Sequence, residues 1–194
     1  MIKSLCVFCG SNAGNDPAAA NAARELGQLL AASDVTLVYG GGRVGLMGVI
    51  ADAVLSGGGR AVGVIPRGLF EREVGHRGLT ELHVVESMHD RKALMASLSD
   101  AFVAMPGGLG TLEEVFEVWT WGQLGIHRKP IGFLDVSGYY APLMAFLDQG
   151  VAAGFIRAQH RAAAIVDADP KSLLERLQQH RPPDVQKWLE PRES

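Results

Sequence analysis

The sequence predicts an α/β protein whose parallel β-sheet is covered by helices on both faces. Short apolar segments, such as residues 61–65 and 101–105, alternate along the chain with longer segments of helical character. Several of the short segments are apolar at nearly every position, which is typical of strands that are buried on both faces. Glycine-rich turns at residues 40–42 and 107–110 join two of these strands to the helices that follow. Together these features favour a Rossmann-like, doubly wound sheet of about seven strands in three α/β/α layers.

The individual elements follow from local signals. Strands are expected at residues 2–8, 35–39, 61–65, 81–85, 101–105, 131–134 and 163–166. Helices are expected at residues 17–32, 45–56, 88–98, 111–121, 139–150 and 170–180. Asp16, Ser87 and Asp169 are the expected N-caps of three of these helices, because their short polar side chains can bond free N–H groups. Residues 67–80 are expected to form a long polar loop, and such loops inside compact domains are often functional.

Length and composition indicate the domain organisation and the partners. The 194 residues suit a single domain over residues 1–180, with a proline-containing C-terminal tail at 181–194. A net charge of −3 without a basic stripe argues against nucleic acid as a partner. No apolar run is long enough for a membrane span, and the N-terminus enters a strand without a signal-peptide layout. We therefore expect a cytoplasmic protein that does not bind membranes.

The two cysteines, Cys6 and Cys9, form a C-x-x-C pair within or at the end of the first strand. Positions three apart on a strand point to opposite faces, and no second pair completes a zinc site. The pair is therefore expected to be buried structural thiols. The histidines at positions 76, 83 and 89 also lack the spacing of metal ligands, so no metal site is expected.

The segment at residues 105–114, MPGGLGTLEE, joins the fifth strand to a helix and is the strongest functional signal. Its glycines allow a ligand to approach the backbone, and a helix N-terminus with unpaired N–H groups suits a phosphate. Glu113 and Glu114 are expected in the first helical turn, where a carboxylate could face the sugar of a nucleotide. The competing interpretation is a capping box, in which Thr111 is the N-cap and Glu114 bonds back to it.

A second cluster, MHDRKALM at residues 88–95, opens the helix before the fifth strand. Ligands of such sheets bind beyond the carboxyl ends of the strands, which places Arg91 and Lys92 at the same edge as the Gly107 turn. Two solvated cations are the simpler interpretation, although cations in a first helical turn oppose the helix dipole. Beside an anion-binding turn, however, arginine could bind phosphate or hydroxyl groups through its planar fork.

The glycine run at residues 40–45 also satisfies G-x-G-x-x-G between a strand and a helix. It follows the second strand, and the next strand ends near Arg67 rather than at an acidic residue that would hold a ribose. A dinucleotide site, with Arg67 on a 2′-phosphate, therefore remains an alternative. A backbone wall for a mononucleotide formed by Gly41 and Gly42, or a plain tight turn, fits better.

These features together predict a reaction class. Hydrolysis of an N-glycosidic bond passes through a cationic sugar, which a carboxylate can stabilise while water attacks. Residues 107–111 could hold the phosphate, Glu114 could act beside the sugar, and Arg91 could orient the substrate. Such a reaction requires no cofactor.

Residues 106–114 fit the motif PGGxGTxxE, and this chain resembles the Lonely Guy (LOG) family of cytokinin riboside 5′-monophosphate phosphoribohydrolases. The resemblance covers nearly the whole chain and includes residues 6–11, 38–42, 45–48, 63–66, 88–92 and 121–127. It implies release of ribose 5-phosphate and a free base from N6-modified adenosine monophosphates, and from AMP as a further candidate. It also implies a homodimer with the site near the subunit interface.

The resemblance assigns roles to individual positions. Arg91 and Glu114 correspond to the catalytic pair. The implied nucleotide contacts are Glu73, Arg91, Lys92, Gly107, Gly108, Leu109, Gly110, Thr111, Leu112, Glu113 and Thr120.

The sequence leaves one other function of this fold open and gives little support to a third. A non-catalytic nucleotide-binding or cofactor-carrier protein would use the same fold, although mere binding would not require both Arg91 and Glu114. Relatives are also often labelled lysine decarboxylases, but that chemistry usually uses pyridoxal phosphate on a lysine. The candidate lysine, Lys92, directly follows the expected catalytic arginine.

Overall fold

The computed structural model describes residues 2–70 and 75–181, and within them it confirms the predicted α/β architecture. A parallel sheet of seven strands has the order β4-β3-β2-β1-β5-β6-β7. The strands are β1 (Ser4–Phe8), β2 (Thr36–Tyr39), β3 (Ala61–Pro66), β4 (Glu81–Val85), β5 (Ala101–Ala104), β6 (Ile131–Leu134) and β7 (Ala164–Asp167).

Eight helices connect or flank these strands in the described part of the chain. They are α1 (Pro17–Ala32), α2 (Gly45–Ser56), α3 (Arg67–Phe70), α4 (Met88–Ser97), α5 (Leu109–Gln123), α6 (Ala141–Ala152), α7 (Ala158–Ala162) and α8 (Pro170–Gln179). A short 3₁₀ turn, Val136–Gly138, follows β6. The expectation of a loop throughout residues 67–80 was wrong at its start, where α3 forms, and α7 was not predicted.

The N-caps predicted from short polar side chains are confirmed. Asp16 accepts a hydrogen bond from the Ala18 N–H at 2.8 Å, and Ser87 accepts one from the Asp90 N–H at 3.1 Å. Asp169 caps α8 in the same way. These bonds satisfy donors that a helix start otherwise leaves unpaired.

Apolar side chains fill both faces of the sheet. On one face the strands pack against α1, α2 and α8, and on the other against α4, α5 and α6. Cys9 belongs to the first core and Cys6 to the second, and both thiols are free and buried. This confirms that the C-x-x-C pair is split between opposite faces. Burial and the nearby Glu114 carboxyl raise the pKa of each thiol, so both are held in the neutral form.

The strand order reverses between β1 and β5, which lie side by side although the chain passes through three other strands between them. Ligands of open α/β sheets bind in the crevice outside the carboxyl ends of the strands at such a point. The loop after β1 and the turn after β5 meet there, because the Gly10 N–H donates to the Pro106 carbonyl at 3.0 Å. The fold thereby places the Gly107 turn beside the start of the chain.

In the described residues, no helix is long and apolar enough to cross a membrane. The boundary predicted for a C-terminal tail falls at Arg181, beyond which the residues are outside the described part of the chain.

Candidate active site

Helix α5 begins two residues earlier than predicted. Its N-cap is Gly108, which has no side chain to bond the N–H groups of the first turn, and no acidic residue lies in that turn. The capping-box interpretation was therefore wrong, and so was the placement of Glu113 and Glu114 in the first turn. The physical reason is that Gly107 and Gly108 allow the chain to enter the helix directly, without a side-chain cap. The helix start is left open to an anion.

The Gly107 turn is closely packed. A Cβ on Gly107 would lie 2.2 Å from the Thr111 hydroxyl oxygen and 2.8 Å from the Gly10 nitrogen, so only glycine fits. Thr111 is buried against this turn, whereas Gly108, Leu109 and Gly110 are exposed. The Tyr139 hydroxyl donates to the Gly107 carbonyl at 2.6 Å. These contacts fix the turn on its buried side, and residues 108–110 remain exposed on the other side.

Arg91 extends from α4 toward the same edge of the sheet. Its Nε donates to the Val64 carbonyl of β3 at 3.2 Å, and its Nη1 lies 3.8 Å from the Met88 sulfur. The side chain is only 11% exposed, so the solvated interpretation of Arg91 was wrong. Backbone and side-chain partners hold the guanidinium in place over the sheet.

Arg91 and Glu114 form a buried ion pair across the two helices, with 3.3 Å between Nη1 and Oε1. Burial raises the pKa of the Glu114 carboxyl above its ordinary value, and the attraction of Arg91 offsets only part of this effect. The two predicted catalytic residues therefore meet in one place, with a perturbed carboxyl group.

Lys92 is also buried, and it contacts two other carboxylates of α5. Its ammonium group bonds Glu113 and lies 3.0 Å from an oxygen of Glu117. Burial opposes the charged form of Lys92, but the two glutamates outweigh this and raise its pKa. This pairing does not leave a neutral amine available for a Schiff base. Lys92 instead joins α4 to α5 beside the Arg91–Glu114 pair.

A cavity of about 420 Å³ lies on the other side of the Gly107 turn. The loop after β1 forms one wall with Ser11, Asn12 and Asn15, and Gly108 and Tyr139 form part of the opposite wall. The N-terminus of α5 borders this cavity. The size of the cavity suits part of a nucleotide.

The glycine run after β2 supports the site from beneath. Gly41 and Gly42 are buried, and the Gly41 carbonyl accepts a hydrogen bond from the His76 N–H at 3.1 Å. Gly42 pairs with Gly75 in an isolated antiparallel bridge. Arg67, which a dinucleotide site would use, is bonded to Glu86 at 2.9 Å. The glycine run thus packs against the loop that contains Gly75 and His76, as expected of a tight turn.

One predicted contact residue, Thr120, is not brought to the Arg91–Glu114 pair. Thr120 lies six positions after Glu114, about 9 Å further along the helix axis, and it lines a separate cavity of about 140 Å³ between α5, α6 and α7. Glu73 lies outside the described residues.

Comparison with known proteins finds relatives that are similar in sequence over most of this chain. A family described as "Possible lysine decarboxylase" matches residues 47–177. A "Probable cytokinin riboside 5'-monophosphate phosphoribohydrolase" of Oryza sativa subsp. japonica is 50% identical over 180 residues, which cover 93% of this chain and 74% of that protein. A cytokinin riboside 5'-monophosphate phosphoribohydrolase of Arabidopsis thaliana is 49% identical, covering 93% of this chain and 84% of that protein.

The chain belongs to the LOG family. Solved structures agree on the fold of this LOG-family chain. The molybdenum cofactor carrier protein of Chlamydomonas reinhardtii superposes with a TM-score of 0.70 over 92% of this chain and 98% of that one. Its sequence identity is 22%, so it shows a shared fold alone.

Sequence reasoning missed three features of the LOG site. Glu117 could have been found, because it follows Glu113 by four positions and Glu114 by three, which places all three on one side of a helix. The polar loop after β1 could also have been found, since it follows a strand at the reversal of strand order. Tyr139 gave no local signal, because it reaches the Gly107 turn from a distant part of the chain.

Proposed function

We propose that this LOG-family protein hydrolyses the N-glycosidic bond of cytokinin riboside 5′-monophosphates, which are N6-modified adenosine monophosphates. The products are the free base and ribose 5-phosphate. The observation that carries the proposal is the buried Arg91–Glu114 pair beside the uncapped N-terminus of α5. The names of the relatives at about 50% identity support the same activity.

The 5′-phosphate binds at the start of α5 in this proposal. The N–H groups of Leu109, Gly110 and Thr111 belong to the first turn, which has no side-chain cap. The helix dipole adds partial positive charge there. The loop after β1 contributes further polar groups across the cavity. A dianionic phosphate would thus bind at a distance from the three glutamates of α5.

Glu114 acts on the sugar. As the C1′–nitrogen bond breaks, positive charge develops on the ribose, and the carboxylate of Glu114 stabilises it. A water oxygen then bonds to C1′ and gives up a proton, while the electron pair of the broken bond leaves with the base, which takes up a proton. Burial strengthens this interaction, because little water screens it.

Arg91 orients the ribose and holds Glu114 in the ionised form. Its guanidinium has several donors, so it can contact Glu114, the Val64 carbonyl and a ribose hydroxyl at the same time. Lys92 and Glu113 complete the α4–α5 contact. We assign them to fixing the two helices, with Leu112 and Gly107 shaping the turn.

We further propose that two copies of this chain form a homodimer through the face made by α5, α6 and α7. That face has large exposed apolar side chains, with Phe146 exposed to 67% and Phe155 to 90%. Leu124 and Ile126, just after α5, are also exposed. The cavity that contains Thr120 opens on the same face, so a partner subunit would approach Thr120 and the C-terminal part of α5.

The direct test is a product assay. Purified protein is incubated with isopentenyladenosine 5′-monophosphate and separately with AMP, without added cofactor, and free base and ribose 5-phosphate are quantified. We expect both products in equal amounts, with faster release from the modified nucleotide. Release mainly from AMP would keep the reaction but overturn the cytokinin substrate. Nucleotide binding with no release of base would overturn the enzymatic function.

A further inference from the structure

Gly40, the first residue after β2, lies directly against the guanidinium of Arg91. A Cβ on Gly40 would lie 2.1 Å from Nη2 of Arg91 and 3.2 Å from its Cζ. The third nearest atom is the Met47 sulfur at 3.4 Å, an ordinary contact. Arg91 therefore occupies the space that any other residue at position 40 would fill.

The backbone at Gly40 does not itself require glycine. Gly40 is absent from the positive-φ glycines, so an alanine there could adopt the same conformation. The position is buried at the carboxyl end of a strand. The close approach of Arg91 is the reason that the structure gives for a glycine here.

We propose that Gly40 is a positioning residue for Arg91: its missing side chain opens the space in which the guanidinium meets Glu114. This inference rests on the proposed function, in which Arg91 orients the ribose. It assigns to the first glycine of the run at residues 40–42 a role different from that of Gly41 and Gly42, which pack against the loop at Gly75 and His76.

A methyl group at position 40 must displace either the Arg91 side chain or the backbone that follows β2. Nη2 is the far end of a flexible side chain, so Arg91 yields more readily than the backbone of β2. Moving it lengthens the 3.2 Å bond from Nε to the Val64 carbonyl and the 3.3 Å contact from Nη1 to Glu114. Gly40→Ala should thus disturb the active site more than the fold.

The first test is kinetic. We expect Gly40→Ala to lower kcat by about 10- to 100-fold, since a displacement of about 1 Å in a positioning group has effects of this size. KM should change much less, because α5 still holds the phosphate. Gly68→Ala is the matched control, because Gly68 has a negative φ and open space around its Cβ position. The control should retain the wild-type kcat.

The second test does not depend on activity. The pKa of Glu114 is measured by NMR on protein with ¹³C-labelled glutamate carboxyls, and Glu114→Gln assigns the resonance. Glu114 faces Arg91 and Lys92 from α4, Glu113 and Glu117 from its own helix, and the neutral thiols of Cys6 and Cys9 from the β1 side. Of these groups, only Arg91 has an atom closer than 3.4 Å to a Cβ at position 40. Its withdrawal should raise the pKa of Glu114 by about one pH unit in Gly40→Ala.

The outcomes separate this inference from the proposed function. If the wild type cleaves no nucleotide, the proposed function fails, while the NMR titration still decides the role of Gly40. An unchanged Glu114 pKa together with an unchanged kcat in Gly40→Ala would overturn the role. If Gly40→Ala lowers the midpoint temperature of unfolding, the same substitution in an Arg91→Ala background should lower it much less, because the clash is then absent. An equal decrease in both backgrounds would place the clash in the backbone and overturn the inference.

Discussion

At the scale of single residues, the proposed site depends on the carboxyl group of Glu114, which lies where burial disfavours its ionised form. Glu114 is 8% exposed, and the Arg91 guanidinium makes the largest contribution that offsets this burial. A carboxylate with few water molecules around it interacts strongly with a neighbouring positive charge. The same burial that raises its pKa would strengthen its attraction to a cationic sugar in the proposed reaction.

The raised pKa of Glu114 predicts how activity depends on pH. If the ionised carboxylate is the active form, kcat/KM should fall as the pH decreases through that pKa and remain high above it. The acidic limb should therefore lie above pH 4.5, the ordinary value for a glutamate. A pH–rate profile with the modified nucleotide measures it. An acidic limb at or below pH 4.5 would contradict the assignment of Glu114.

The sequence predicted that Arg91 and Glu114 belong to one site, but it did not predict the residues that contact them. Motif spacing and the rule for parallel sheets were sufficient to place both at one edge. The start of α5 was predicted two residues late, because Thr111 and Glu114 also match a capping signal that sequence alone does not distinguish. The contact of Gly40 with Arg91 joins residues that are 51 positions apart (91 − 40), and no local pattern reveals it.

At the scale of elements, α4 and α5 act as two rigid supports that bring a cation and a carboxylate together. Lys92, Glu113 and Glu117 join the two helices beside the Arg91–Glu114 pair. Strands and long helices were predicted well because their apolar periodicity is set locally. The short α3 and α7 were not, because helices of four or five residues have too little periodic signal and depend on tertiary contacts.

The cap of α4 should matter for both stability and activity. Ser87 accepts a hydrogen bond from the Asp90 N–H and donates one to the Asp90 carboxylate, one residue before Arg91. Ser87→Ala should lower the free energy of unfolding by about 1 kcal/mol, as measured by urea denaturation. Ser97→Ala, near the end of the same helix, is the matched control. An equal loss in both variants would show that the cap has no particular importance.

At the scale of the whole molecule, the order of the strands creates the site. The reversal between β1 and β5 brings together the loop after β1, the Gly107 turn and the residues of α4. The strand order was not predicted from the sequence, although the shared edge was. The order depends on which strands pair, and that is a property of the complete sheet.

The proposed dimer gives a prediction at the same scale. The wild type should elute with roughly twice the monomer mass of 20.7 kDa in size-exclusion chromatography with light scattering. Phe155→Asp should shift it to the monomer, because a charge would replace the large apolar side chain that is most exposed among the described residues. Val84→Asp, on the edge strand β4, is the control and should leave the dimer intact. A wild type that is monomeric would refute this proposal.

Glu114→Gln tests the central claim most directly, in a comparison of turnover and nucleotide binding with those of the wild type. The amide has nearly the same shape but no charge, so base release from isopentenyladenosine 5′-monophosphate should fall by about a thousandfold. The Kd for the nucleotide should change only slightly, because the phosphate binds at the start of α5. Glu175→Gln, on the exposed side of α8, should match the wild type in both measurements. Full turnover in Glu114→Gln would contradict the account.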